Sequence, residues 1–323
     1  MSHLKDAFGR LKTFSKSKAG HWTWGIISLT ITAVMVYLSW PQLSEFPSFI
    51  ATANIALLLC AMAAFAASQV SDALSSWLVC QGQRPKMRTL TGCTAVVQLI
   101  ELALPSEIAE VAEDWLLHKV DNTNMKDGGT ALITTGLLLP AAMAIFSFIA
   151  TFTIHPLSTL VQVGLIVYGV IGLVLLAVFL LVPGLLARNK LSKVPLIGKL
   201  KGSLAPPKQV LICLVANVAE FLFNCLGCYL LLRSVSPAGS FELMLAVMCI
   251  ANVTSIIPIG SAAQASGSVV VMTAAGIAGF TAVNFAVATQ LVIAVSGLPF
   301  ILAMFIFKHR RNSRGHGGIV GGA

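Results

Sequence analysis

Charge is what this chain has least of. Charged residues make up 10% of it and hydrophobic residues 57%, whereas a soluble domain carries about 25% charged residues. A chain so poor in charge cannot cover a globular surface in water. Its mean hydropathy of +0.88 calls for a solvent that accepts apolar side chains, which is lipid. The length would fit two soluble domains, but no stretch is polar enough to form one. Catalytic motifs are missing too. No GxGxxG, Walker A, HExxH or GxSxG occurs in a fitting context, so neither a cofactor nor an enzyme activity is expected. The 7 cysteines sit in or beside apolar runs and lack the spacing of an extracellular disulfide framework. Cys225 and Cys228 form a CxxC, but no second Cys or His pair stands near enough to complete a zinc set. They read as small packing residues one helical turn apart. A cleavable leader is also not evident, since the first apolar run has no small-x-small exit and more runs follow it.

What the chain does contain is runs of the length a spanning helix needs, about 20 mostly apolar residues. Six qualify: Trp22–Trp40, Ile50–Val79, Ala131–Phe152, Leu157–Leu186, Val210–Leu232 and Ala282–Phe307. Two more apolar stretches are interrupted. Leu90–Leu117 is broken at Pro105-Ser106-Glu107, and Phe241–Phe280 at Pro258-Ile259-Gly260-Ser261.

The net charge of +9 resembles a nucleic-acid signal until its distribution is considered. Positive loops stay in the cytoplasm. Of the 21 Lys and Arg residues, all but Arg233 fall in the N-terminal segment, three loops and the C-terminal tail. Keeping these inside puts both termini in the cytoplasm. It also forces Leu90–Leu117 to enter from and return to the cytoplasm, and Phe241–Phe280 to enter from and return to the outside. The result is an inverted repeat, with halves at about 50–152 and 210–307. A re-entrant loop and two short spans satisfy the same parity. The halves of Leu90–Leu117, about 14 residues or ~21 Å each, fall short of the ~30 Å hydrocarbon core, which favours re-entrance there. The second hairpin's halves read as longer.

The expected architecture is therefore an all-α polytopic transmembrane helical bundle of six full spans plus two broken hairpins. A basic leader, 1–21, precedes the membrane domain, 22–308. In the leader, Leu4, Phe8 and Leu11 share one helical face, which suits either an interfacial amphipathic helix or an unstructured basic leader. A Gly-rich disordered tail, 309–323, follows.

Paired interruptions in two inverted halves point to a substrate site between them. At the first, Pro105 ends one half-helix and Ser106 can cap the next. Glu107, Glu110 and Asp114 then share a face. They form either a solvated acidic surface or a cluster lining an internal cavity that takes a cationic headgroup or a proton. Asp72, Glu101 and Glu220 lie within apolar runs, where ionisable residues usually face the bundle interior. Asp72 reads as near the wet cytoplasmic end. Glu220 ranks first, because Asn217 and Asn224 make it the centre of a polar stripe; the competing reading is interhelical hydrogen bonding. At the second interruption, Pro258 and Gly260 shape the break and Gln264 is the polar candidate. The small residues there permit close backbone approach.

The two interruptions resemble the signature turns of the lysylphosphatidylglycerol synthase transmembrane-region family, also called the flippase-like domain family. Pro105, Ser106, Ala109 and Glu110 occupy the places of its first turn, with Glu113 where the family has an Arg. Pro258, Gly260 and Ala262 match its second loosely, with Gln264 or Ala265 where the family has a Glu. Gly276 and Pro299 fall where the family has a downstream Gly and a Pro in the last span. The resemblance runs from about Trp22 to Phe307 and implies a role in moving or presenting a lipid or glycolipid across the cytoplasmic membrane. The chain ends without the aminoacyl-transfer domain of bifunctional relatives, so aminoacyl-lipid synthesis is not expected of it. The implied partners are a membrane lipid or lipid-linked substrate and lipid-biosynthesis enzymes, not nucleic acid. Two alternatives stand beside this reading: a membrane-embedded enzyme acting on a lipid precursor, and an accessory or scaffold subunit. A cavity reaching both hairpins separates translocation from the scaffold.

Overall fold

The computed structural model describes Thr30, Tyr37 and residues 46–80, 84–102, 106–121, 125–154, 158–187, 207–237, 239–254 and 261–316. The leader, the rest of Trp22–Trp40, the basic loop 188–206 and the breaks at 103–105 and 255–260, with Pro105, Pro258 and Gly260, lie outside the described residues. Within them the fold is all helix: α1 (Phe46–Ala51), α2 (Ile55–Val79), α3 (Met87–Glu101), α4 (Ser106–Asp121), α5 (Met125–Thr153), α6 (Thr159–Ala187), α7 (Pro207–Val235), α8 (Phe241–Thr254), α9 (Ser261–Ala274) and α10 (Gly279–His316).

Five of these, α2, α5, α6, α7 and α10, are long and apolar enough to cross a membrane. Helix is the form such sequences take because it satisfies every backbone donor and acceptor without water. The outward surface is apolar. On α6, Leu160, Val163, Val167, Val170, Val174 and Leu181 are exposed at spacings of three, four and seven residues, a stripe that suits a lipid-facing side.

Boundaries shift in three places, each for a visible reason. The run Ile50–Val79 is split, because the Asn54 side chain accepts from the Ala56 and Leu57 amides at 3.0 and 3.3 Å and so starts α2 afresh. The second hairpin's halves are 14 residues each, as short as the first hairpin's. The first half stops at Thr254 and the second starts at Ser261. The second ends at Gly276, whose φ of 83° closes α9: its amide donates to Thr273 O and the Ile277 amide to Met272 O, both at 3.0 Å, a Schellman cap. Finally, α10 continues to His316, past the start of the expected disordered tail. Its Lys and Arg residues suit a helix C-terminus.

Packing follows the repeat. Helices α2 and α7 lie antiparallel along their length: Asn54 N donates to Ser234 O at 2.8 Å at one end, and Cys213 Sγ donates to Ser75 O at 3.6 Å at the other. Around this pair, α3 packs on α10 as α8 packs on α5. Likewise α4 packs on α3 and α5 as α9 packs on α8 and α10. Exchanging α2–α5 with α7–α10 maps these contacts onto one another, and the antiparallel axis pair makes the repeat an inverted one. Helix α6 stands outside the repeat, against α5 and α8.

The α5–α6 contact is built from small residues. A Cβ on Gly172 would run into the Pro140 carbonyl oxygen and the Ala144 methyl, whereas one on Gly136 of α5 would meet nothing within 4 Å. Close backbone approach of this kind drives helix association in lipid. Gly172→Ala is expected to cost about 1–3 kcal/mol through overpacking and Gly136→Ala close to nothing. The check is thermal unfolding of the two purified variants in one detergent.

Candidate functional site

A cavity of about 220 Å³ lies where the halves meet. Asp72 of α2, Gln98 and Glu101 of α3, Glu220 and Asn224 of α7, Asn252 of α8, Gln264 of α9 and Gln290 of α10 bring polar groups to it. Its lining therefore comes from both axis helices, from the entering halves of both hairpins, from the returning half of the second, and from α5 and α10.

The helix ladder explains the arrangement. Ser68 Oγ of α2 donates to Asn224 Oδ1 of α7 at 2.8 Å, and Ser75 and Cys213 meet further along the same pair. In that antiparallel register Asp72 and Glu220 fall opposite one another between the two contacts, and they interact electrostatically. One step to the other side, the Phe65 ring lies on Gly227, closer than a Cβ there would allow. The axis is thus plugged by an aromatic ring at one level and carries facing acids at the next. Neither the Asp72 nor the Glu220 carboxylate accepts a hydrogen bond from the described residues, and neither has a basic partner among them. No Lys, Arg or His among the described residues lines it.

Amides hold the walls. Gln69 is buried, and its Nε2 lies 2.7 Å from Gln98 Oε1, 2.9 Å from Ile293 O and 3.1 Å from Ser296 Oγ, tying α2 to α3 and α10. Gln290 Nε2 donates to Gln264 Oε1 at 3.4 Å, tying α10 to α9. At its outer end the first hairpin closes on itself. The Lys86 amide donates to Asp121 Oδ2 at 2.6 Å and Lys86 Nζ pairs with Asp121 Oδ1 at 3.4 Å, so the start of α3 and the end of α4 lie together. Between them Glu113 is buried and accepts from Thr94 Oγ1 at 2.9 Å.

Of the residues singled out from sequence, Glu220, Asn224 and Gln264 meet at the cavity. Asn217 does not line it; it is buried and donates to Cys213 Sγ at 3.6 Å on its own helix. Ser106, Glu107 and Glu110 belong to α4, but their side chains lie outside the described residues, as do Pro105, Pro258 and Gly260. Asp72, read from sequence as near the wet end of its run, instead faces Glu220. Gln98, Asn252 and Gln290 were missed. The available signal was an amide inside an apolar run, with Gln98 one turn from Glu101 on a common face. The CxxC behaves as packing: Cys225 and Cys228 are buried, donating to Met244 O at 3.8 Å and Met248 Sδ at 3.6 Å. No group of three or more His, Cys, Asp or Glu side chains suited to a metal occurs among the described residues.

Gln69→Ala would remove the donor that ties α2 to α3 and α10 and leave Gln98 Oε1 without that bond. A loss of about 1–3 kcal/mol is expected, read as a lower unfolding temperature in detergent, with Gln69→Glu intermediate.

No curated protein and no solved structure matches the chain. Residues 25–300 match the family described as "Lysylphosphatidylglycerol synthase TM region", a span that takes in every residue of the cavity and both inverted halves except the end of α10. The chain is a multi-pass integral membrane protein and belongs to the lysylphosphatidylglycerol synthase transmembrane-region family.

Proposed function

We propose that this protein moves or presents a lipid or glycolipid across the cytoplasmic membrane. The observation that carries this reading is the position of the polar cavity, which touches both hairpins and both axis helices. A scaffold subunit has no use for such a cavity. A carrier that rocks one half against the other needs a polar compartment at the pivot. The carboxylates and amides accept from and donate to amine and hydroxyl groups, the chemistry of lipid and sugar headgroups. At about 220 Å³ the cavity is smaller than the ~300–1,000 Å³ typical of drug-sized ligands. It fits a headgroup while the acyl chains stay in lipid. In this scheme both hairpins are re-entrant: α3, α4, α8 and α9, with 14 to 16 residues each, rise only about 21–24 Å. Glu220, Glu101, Asn224 and Gln264 contact the headgroup from within the cavity. The partners are the lipid or lipid-linked substrate and the enzymes that make it. The protein itself acts as a carrier, not as a catalyst.

Proteoliposomes holding fluorescent short-chain lipids with amine, sugar or zwitterionic headgroups test this by the fraction quenched from outside over time. One headgroup class is expected to equilibrate. Glu220→Gln and Glu101→Gln should slow it about 10- to 100-fold, matching the loss of a charge-assisted hydrogen bond of about 1.5–3 kcal/mol. Full rates in both variants would remove the carboxylates from the mechanism.

The same reading keeps both termini in the cytoplasm, as the positive loops require. Fluorescent-protein fusions at either end should fluoresce and alkaline phosphatase fusions should be inactive. The reverse pattern would invert the topology.

A further inference from the structure

The facing acids ask for something that the headgroup reading does not supply. Asp72 and Glu220 stand opposite one another on the two axis helices, bracketed by the Ser68–Asn224 and Ser75–Cys213 contacts. They line the same cavity, without a hydrogen bond or a basic partner from the described residues. Two ionised carboxylates facing each other at low dielectric repel strongly, and an unpaired ionised carboxylate at membrane depth is costly by itself. One cation between them relieves both costs. A calcium or magnesium ion would need a shell of six or more oxygens. The described residues hold no group of three or more His, Cys, Asp or Glu suited to a metal, and besides its carboxylates the polar lining offers only neutral amides and hydroxyls. A proton needs only two oxygens, and two carboxyls that cannot both ionise share one readily.

We propose that Asp72 and Glu220 form one proton-binding site on the axis between the halves, through which lipid movement draws on the proton gradient. This rests on the carrier reading for its purpose but not for its chemistry. The other titratable groups near the pair are Glu101 from α3, Tyr168 from α6, and Cys213 and Cys228 from α7. Helices α5, α8, α9 and α10 bring none to the described lining. The site sits where α2 slides on α7, so rocking of the halves changes the separation of the two carboxyls. Apart, each would need its own proton or water; together, they hold one. Uptake on one side of the membrane and release on the other would follow from that change, and lipid exchange would be tied to it.

The test uses the full chain in lipid nanodiscs and dicyclohexylcarbodiimide, a lipid-soluble reagent that attacks only protonated carboxyls. At about pH 7.5, an exposed carboxyl with an ordinary pKa near 4 is essentially all ionised and does not react. Peptide mass spectrometry is expected to find one adduct per chain, on Asp72 or Glu220 and never on both, and none in the D72N/E220Q double variant. No adduct at either residue, or an adduct only at Glu101, would overturn the site. Protection by sodium chloride but not by choline chloride would overturn it in favour of a metal cation. In proteoliposomes, an imposed pH gradient should then change the lipid rate of the wild type but not that of E220Q. A wild-type rate indifferent to the gradient would overturn the coupling. The two readings fail separately. An adduct without lipid movement supports the proton site and removes the carrier, whereas lipid movement without an adduct does the opposite.

Discussion

Backbone at membrane depth has no water to bond, so each carbonyl and amide must find its partner inside the protein. The rest of this structure depends on that constraint. A helix that spans meets it alone. A helix too short to span cannot, and the short helices here are accordingly surrounded by others: α3 by α2, α4 and α10, and α8 by α5, α7 and α9. The cross-packing is what an inverted repeat provides, since each hairpin is sheltered in part by the last helix of the opposite half. Neither half could shelter its own hairpin as fully.

The axis pair α2–α7 carries the consequences. Its antiparallel register brings one residue of each half to every level. At one level Phe65 fills the space left by Gly227, at the next Ser68 bonds Asn224, and at the next two acids face a cavity. Exact symmetry would have placed the same chemistry on both sides of the centre. Instead an aromatic plug stands on one side and ionisable groups on the other. The pseudo-symmetric scaffold thus carries an asymmetric site.

Polar residues in this bundle divide by what holds them. Gln69, Ser68 and Asn217 are spent on bonds between or within helices, which act as glue in a medium without a hydrophobic drive toward association. Asp72 and Glu220 accept no such bond from the described residues, and ionisable groups at membrane depth are costly and mark candidate sites of function. The family match over residues 25–300 places this site within the shared membrane region, although the first-turn Arg of the family is a Glu here. That Glu113 is buried against Thr94 and stays outside the cavity.

By itself the amino-acid sequence determined the class of the protein, the approximate positions of the five long helices that the structure describes and the inverted order. These are one-dimensional properties: apolar run length is set by bilayer thickness, and Lys and Arg placement by topology. Glu220, Asn224 and Gln264 were legible as candidates because polar groups in an apolar run are conspicuous. Tertiary structure alone decided which of them share a site. Nothing local to Asp72 says that it lies opposite Glu220, because that depends on how α2 and α7 slide against each other over more than a hundred intervening residues. Nothing in the 217–220–224 stripe says that Asn217 turns away, since three residues within one helical face differ in outlook by tens of degrees and only the neighbouring helix selects among them. Gln98 and Gln290 became site residues for the same reason: a cavity is defined by the walls that meet around it, and that meeting is a property of packing.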